Sequence, residues 1–352
     1  MEQVARIERR RFDVAEPYRI AVVVPCFKVK RHVVRVLQRM GPEVWRVYVV
    51  DDCCPEGSGR YVEEHCTDSR VTVLYQECNQ GVGGAVIAGY RKAIADGADV
   101  IVKVDGDGQM DPALITELVS PILNGEADYA KGNRFFDPAN VQRMPGVRSF
   151  GNAGLSFLAK LSTGYWRMFD PNNGYTAIHA EVARRLPLER VSRRYFFETD
   201  MLFRLNTVRA AVVDVPMDPI YADEVSNLSI RRVFFEFLGK HLRNTAKRIL
   251  YNYFLRDLSL ASLELAAGLV LFFAGALYGA VHWLESARAG VVTPAGTVML
   301  AALPVILGIQ FVLAFLAYDI AAAPTRAIHV TLRSRARAAR AVHPDHPTAV
   351  MP

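Results

Sequence analysis

The sequence predicts an α/β domain built on a mostly parallel sheet, followed by a pair of membrane-spanning helices. Three observations carry this. Short β-branched runs alternate with longer helical stretches from Arg19 onward, the runs are almost continuously apolar, and two late segments of about 20 residues contain no Asp, Glu, Lys or Arg.

Residues 1–18, "MEQVARIERRRFDVAEPY", form a charged segment without the apolar core of a signal peptide. Then "IAVVVP" (Ile20–Pro25), "RVYVVDD" (Arg46–Asp52), "VTVLYQ" (Val71–Gln76) and "VIVKVD" (Val100–Asp105) read as strands buried on both faces. Helices are expected near 30–40, 57–66 and 82–95. "ADYAKGNRF" is a further strand and turn, 148–163 a helix, "FDPNNGYTAIH" a turn into a short strand, "RYFFETDMLFRL" a helix and "AVVDVPM" a last strand. The α/β domain thus spans 19–228. Residues 229–258 carry apolar positions among basic ones, the pattern of amphipathic helices at a membrane surface.

The hairpin occupies 259–323, with spans at about 262–284 and 296–320, and a basic, partly disordered tail fills 324–352. Arg231, Arg232, Lys240, Arg243, Lys247, Arg248 and Arg256 precede the first span, and Arg326, Arg333, Arg335, Arg337 and Arg340 follow the second. The intervening loop offers Arg288 against Glu285, so both ends are expected in the cytoplasm, at the inner membrane. The net charge of +6 gathers near the membrane, which points to anionic lipid and not to nucleic acid. Gly268, Gly275 and Gly279 offer a small-residue face for a homo-oligomer. Five cysteines without CxxC spacing are expected as reduced thiols.

"KVDGDGQMDP" carries the chemistry. A turn at Gly106 and Gly108 lets Asp105 and Asp107 face one cleft, where a hard divalent cation finds oxygen ligands. Asp111, beside Pro112, suits a helix N-terminus. At the same sheet edge, "VVDDCCPEGS" places Asp51 and Asp52 where one can receive a nucleotide N–H or hydroxyl and the other a neighbouring loop. In "NQGVGGA", Gly81, Gly83 and Gly84 admit close backbone approach at a helix start, without the Gly-Lys-Ser/Thr of a Walker loop.

In order and spacing, "VVVPCFKVK", "VVDDCCPEGS", "NQGVGGA", "KVDGDGQMDP" and "KGNRF" resemble glycosyltransferase family 2. The branch they resemble is that of the polyprenyl-phosphate sugar transferases, among them the dolichol-phosphate mannose synthases and bactoprenol glucosyltransferases. The resemblance implies a GT-A fold, a UDP- or GDP-sugar donor, Mg²⁺ or Mn²⁺, and a polyprenyl phosphate acceptor. Carried over, Pro25, Asp51, Asp52, Gly81 and Gly84 would line the donor pocket, and Asp105 and Asp107 would hold the metal. Gly106 and Gln109 would shape that turn, and Arg134 in "GNRF" would meet a phosphate or sugar hydroxyl. Glu198 and Asp200 in "FFETDM" resemble the acidic position that acts as base with hydroxyl acceptors, and of the two Asp200 would position the acceptor or act as base.

Two departures stand out. The family's "PxxNE" is replaced by "PCFKVK", and its Arg-x-x-Gly-Ser-Lys-like loop by "YADEVSNLS". Acceptor-phosphate binding is therefore expected from Ser226, Arg231, Arg232 or Lys240. A processive polysaccharide synthase would add Gln-x-x-Arg-Trp, a dehydrogenase would need GxGxxG after the first strand, and neither occurs. A transferase with a hydroxyl acceptor and an inactive membrane scaffold stay open.

Overall fold

The structure, a computed structural model, describes residues 18–136, 146–217 and 230–332, with side chains described from 154 and from 235 in the later stretches. Seven strands form one sheet: β1 (Ile20–Cys26), β2 (Val44–Asp51), β3 (Val71–Tyr75), β4 (Val100–Lys103), β5 (Tyr129–Asn133), β6 (Thr176–His179) and β7 (Val212–Pro216). Their order is β3-β2-β1-β4-β6-β5-β7. β6 runs antiparallel to both its neighbours, and every other pairing is parallel. The carboxyl ends of six strands therefore share one edge.

Helices cover the sheet as the buried strands require: α1 (Val33–Gln38), α2 (Ser58–His65), α3 (Val82–Ala95), α4 (Ile115–Leu123), α5 (Gly146–Thr163), α6 (Ala180–Ala183) and α7 (Phe197–Thr207). Alternate residues of β1 serve opposite layers. Val23 packs with Tyr48, Val50 and Tyr90 on one face, while Val22 and Val24 join Val47, Ile115 and Leu118 on the other. β3 departs from its expected two-sided burial, because it is the sheet's edge and only half-buried. Asp111 does cap the segment that follows, its side chain accepting from the Ala113 N–H.

A long helix, α8 (Ile230–Ile249), passes into a π-helical segment, Leu250–Arg256. α8 is not wholly interfacial: His241, Asn244 and Arg248 are buried against the domain, while Phe235 and Leu242 are exposed. Two further helices, α9 (Leu260–Ala289) and α10 (Ala295–Ala321), are long and apolar enough to cross a membrane, and most of their surface faces outward. They pack closely on each other. A Cβ on Gly268 would meet Gly308 O at 3.0 Å, one on Gly275 Ala301 O at 2.9 Å, and one on Gly279 Ala301 Cβ at 3.0 Å. The glycines expected at an oligomer interface are thus spent within the hairpin.

The C-terminal end of the hairpin is tied to the α/β domain and to the helix that precedes the hairpin. Asp319 of α10 accepts from Arg248 Nη1 at 2.6 Å, from Trp166 Nε1 at 2.8 Å and from Tyr253. Arg209 donates to Ala322 O, and the N–H groups of Ile328 and His329 donate to Asp128. Residues just beyond the boundary expected at 324 dock on the domain.

Candidate active site

β4 delivers the chain to the turn 105–108 at the carboxyl edge. Gly108 has φ +82°, a left-handed conformation that a Cβ opposes, and a Cβ on Gly106 would come within 3.1 Å of Val29 Cγ2 and 3.4 Å of Pro25 O. The turn is therefore pressed against the tail of β1. Asp107 Oδ1 accepts the main-chain N–H of Gln109 at 2.9 Å. Asp105 Oδ1 lies 2.7 Å from Lys103 Nζ, an ion pair at the start of the turn.

Lys103 is only 1% exposed, and its Nζ also lies 3.4 Å from Glu198 Oε1 and donates to Gly174 O at 3.1 Å. Burial opposes the ammonium, but Asp105 and Glu198 reverse this and hold it above the ordinary lysine range. Gly174 makes the arrangement possible: a Cβ there would sit 2.4 Å from Lys103 Nζ and 2.8 Å from Asp105 Oδ2.

Register extends this polar row across the sheet. Lys103 pairs with Thr176, Thr176 with Lys131, and Lys131 with Asp214, which puts all four on one face. Lys131 is fully buried and donates to Asn173 O. Burial pulls its ammonium down to about 8 against the nearby Asp170 and Glu198, and burial likewise pushes the Asp214 carboxyl up to about 6. Past β5, Arg134 grips buried Asp170 through Nε at 2.8 Å and Nη2 at 3.2 Å.

On the other flank, Asp51 and Asp52 are 3% and 2% exposed. Asp51 accepts the N–H groups of Cys54 (2.7 Å) and Gly59 (2.6 Å), and Asp52 those of Gln80 (2.7 Å) and Gly81 (2.7 Å). Both acids organise loops, whereas only one had been expected to.

A model described as glycosyl transferase family 2 matches residues 21–187. The UDP-N-acetylglucosamine–dolichyl-phosphate N-acetylglucosaminyltransferase of Methanococcus voltae is 28% identical over 58% of this chain and 86% of its own length. The undecaprenyl-phosphate mannosyltransferase of Micrococcus luteus is 29% identical over 56% of this chain and 82% of its own. The fold also matches mannosyl-3-phosphoglycerate synthase from Rubrobacter xylanophilus, with TM-score 0.51 and 17% identity over 69% of this chain and 77% of that one. The chain belongs to glycosyl transferase family 2.

In this glycosyltransferase the sheet edge brings together Pro25, Asp51, Asp52, Gly81, Asp105, Gly106, Asp107, Gln109 and Arg134. Gly81 and Gly84 do not form an open cradle. A Cβ on Gly81 would meet Arg193 O at 2.6 Å, one on Gly84 would meet Gln80 Cβ at 2.4 Å, and Arg193 O already accepts the Gly83 N–H at 2.8 Å. The glycines admit the protein's own backbone.

Asp200 is also corrected. It is buried, with Oδ2 receiving Ser192 N–H (2.8 Å) and Arg204 (3.2 Å) and Oδ1 receiving Asn244 Nδ2 (3.0 Å). It ties α7 to α8, and the acid of that helix that reaches the site is Glu198. Lys240 pairs with Glu236 at 2.7 Å and lies over the Phe196 ring. Arg231 and Arg232 fall in the first turn of α8, where side chains are outside the described residues, as is Ser226.

Sequence reasoning missed Lys103 and Gly174 as neighbours of Asp105, Lys131 as part of the buried polar row, and the pairing of Glu198 with Lys103. The lysines did leave a signal, a lone cation inside each of the apolar runs "VIVKVD" and "DYAKGN". A charge within a buried strand requires a buried partner.

Proposed function

We propose that this enzyme transfers a sugar from a UDP- or GDP-sugar to a polyprenyl phosphate at the cytoplasmic face of the membrane, with inversion. The carrying observation is the turn 105–108, two carboxylates at the edge of a domain bonded to the C-terminal end of an apolar hairpin. The names of the two relatives, one acting on dolichyl phosphate and one on undecaprenyl phosphate, support a lipid phosphate acceptor.

Asp105 and Asp107 suit Mg²⁺ or Mn²⁺, because such ions take one or two carboxylates and complete their shell with phosphate oxygens and water. When bound, the ion supplies charge stabilisation to the departing nucleoside diphosphate. The chain's own residues do the rest. Gly106 and Gly108 hold the carboxylates at the edge, and Lys103 fixes Asp105 from below.

A phosphate monoester is largely ionised near neutral pH, with a second pKa near ~6, so a phosphate oxygen attacks the anomeric carbon without a general base. The bonding of Asp200 agrees, since its oxygens are engaged by Ser192, Arg204 and Asn244. A hydroxyl acceptor would require a free base there. The paired ends of the hairpin and the basic flanks support both termini on the cytoplasmic side.

The test is transfer from a panel of labelled UDP- and GDP-sugars to undecaprenyl phosphate in detergent with Mg²⁺ or Mn²⁺, beside Asp107→Ala. One donor should label the lipid and the variant should lose at least roughly a hundredfold in rate. Donor binding without labelled lipid would reject the phosphate acceptor.

A further inference from the structure

We propose that Lys103 is a built-in counter-cation of the acidic site, a positioning residue that holds Asp105 and Glu198 in register and competes with the divalent ion for Asp105. The inference rests on reading Asp105 and Asp107 as the cation site. It adds a function for a buried ammonium that donor chemistry itself does not require.

Three segments meet at this one nitrogen. Asp105 lies just beyond β4, Gly174 in the turn before β6, and Glu198 in the first turn of α7, and Lys103 Nζ is within 2.7, 3.1 and 3.4 Å of them respectively. An ammonium 1% exposed is costly unless compensated, and here two carboxylates and a carbonyl compensate it. Space for Nζ is built in, since any side chain at 174 would overlap it.

Charge makes the arrangement functional. Asp105 and Glu198 set two carboxylates against the one ammonium of Lys103. Before the ion arrives, Lys103 restrains mutual repulsion of the carboxylates. Once the ion engages Asp105, Glu198 and Gly174 O remain to hold the ammonium. Lys103 thereby weakens cation binding while keeping the ligand correctly placed.

Opposite signs follow for two variants. Lys103→Met keeps the apolar stem and removes the competing charge, so Mn²⁺ should bind at least fivefold more tightly while transfer falls. Glu198→Gln removes one of the two carboxylates that hold Lys103 and draws the ammonium towards Asp105, so Mn²⁺ should bind at least fivefold more weakly. The readout is free Mn²⁺ by electron paramagnetic resonance, on the full chain in detergent with UDP and separately with GDP, which needs no turnover. Thermal unfolding checks that each variant is folded, and Glu198→Gln decides alone if Lys103→Met does not fold.

A merely structural lysine would weaken Mn²⁺ binding in Lys103→Met or leave it unchanged, and either result overturns the inference. If the unaltered protein binds no Mn²⁺ with either nucleotide, the cation site itself is wrong. If it binds Mn²⁺ and the variants do not diverge, only the role of Lys103 falls.

Discussion

Asp128 and His329, 201 positions apart, are joined twice: one carboxylate oxygen accepts both the main-chain N–H of His329 at 2.9 Å and its Nδ1 at 2.8 Å. The other oxygen accepts Ala211 and Ile328, and His329 stacks on His179 with ring centroids 4.2 Å apart. Asp128 precedes β5, at the sheet edge opposite the acidic turn, so this contact anchors the chain behind the site. The hydrogen bonds also hold its carboxyl below the ordinary range despite burial.

Asp128→Asn should release this anchor. An amide oxygen replaces one acceptor at most, and each buried donor left unpaired costs about 1–3 kcal/mol. Hydrogen exchange at 328–331 should accelerate and the unfolding temperature fall. Unchanged protection there would show that packing alone holds the segment.

Arg248 and Asp319 are 1% and 2% exposed and form the second anchor. Arg248→Met or Asp319→Leu alone should cost about 3–5 kcal/mol, because each strands a buried charge. The double variant should cost clearly less than the two singles together, as measured by thermal unfolding in detergent. Additive losses would reject coupling through this pair.

Gly174→Ala should lower transfer at least roughly tenfold with little loss of secondary structure, because the added methyl displaces Lys103 Nζ and Asp105. A shift of about 1 Å in a catalytic group is enough for losses of that size or more. Steady-state transfer beside circular dichroism checks it, and full activity would mean that the lysine has another resting place.

His241 lies between α5 and α8, bonded to Ser162 Oγ at 2.8 Å, and burial lowers its pKa to about 4. Its folded value lies below the unfolded one, so its contribution to stability is present above pH 6.5 and is lost as pH falls towards 4. Asp214, raised to about 6, works in the opposite sense over part of that window, so the comparison must be between variants. His241→Gln should lose less stability than the unaltered protein between pH 7 and 5, by on the order of 1 kcal/mol. Equal losses would mean that His241 does not titrate in this way.

The acidic turn was legible because Gly106 and Gly108 are spaced to break a strand and Asp105 and Asp107 are a recognisable oxygen pair. Asp200 misled for an equally local reason. "FFETDM" offers two acids, and which one faces the sheet depends on how α7 is rotated against α8, which one helix cannot specify. Gly81 and Gly84 invite an approaching backbone, but only packing reveals that the segment around Arg193 is what approaches.

The sequence by itself determined the alternation of strands and helices, the acidic turn and the two apolar spans, because each is written in residues near one another in the chain. Tertiary structure decided the rest: that Lys103 serves Asp105 and Glu198 together, that the hairpin's glycines face its own partner helix, and that Asp319 and Asp128 hold the C-terminal end of α10 and the segment just beyond it. The physical reason is that a buried charge or a missing Cβ requires a partner without naming it. Only the assembled fold brings that partner into reach.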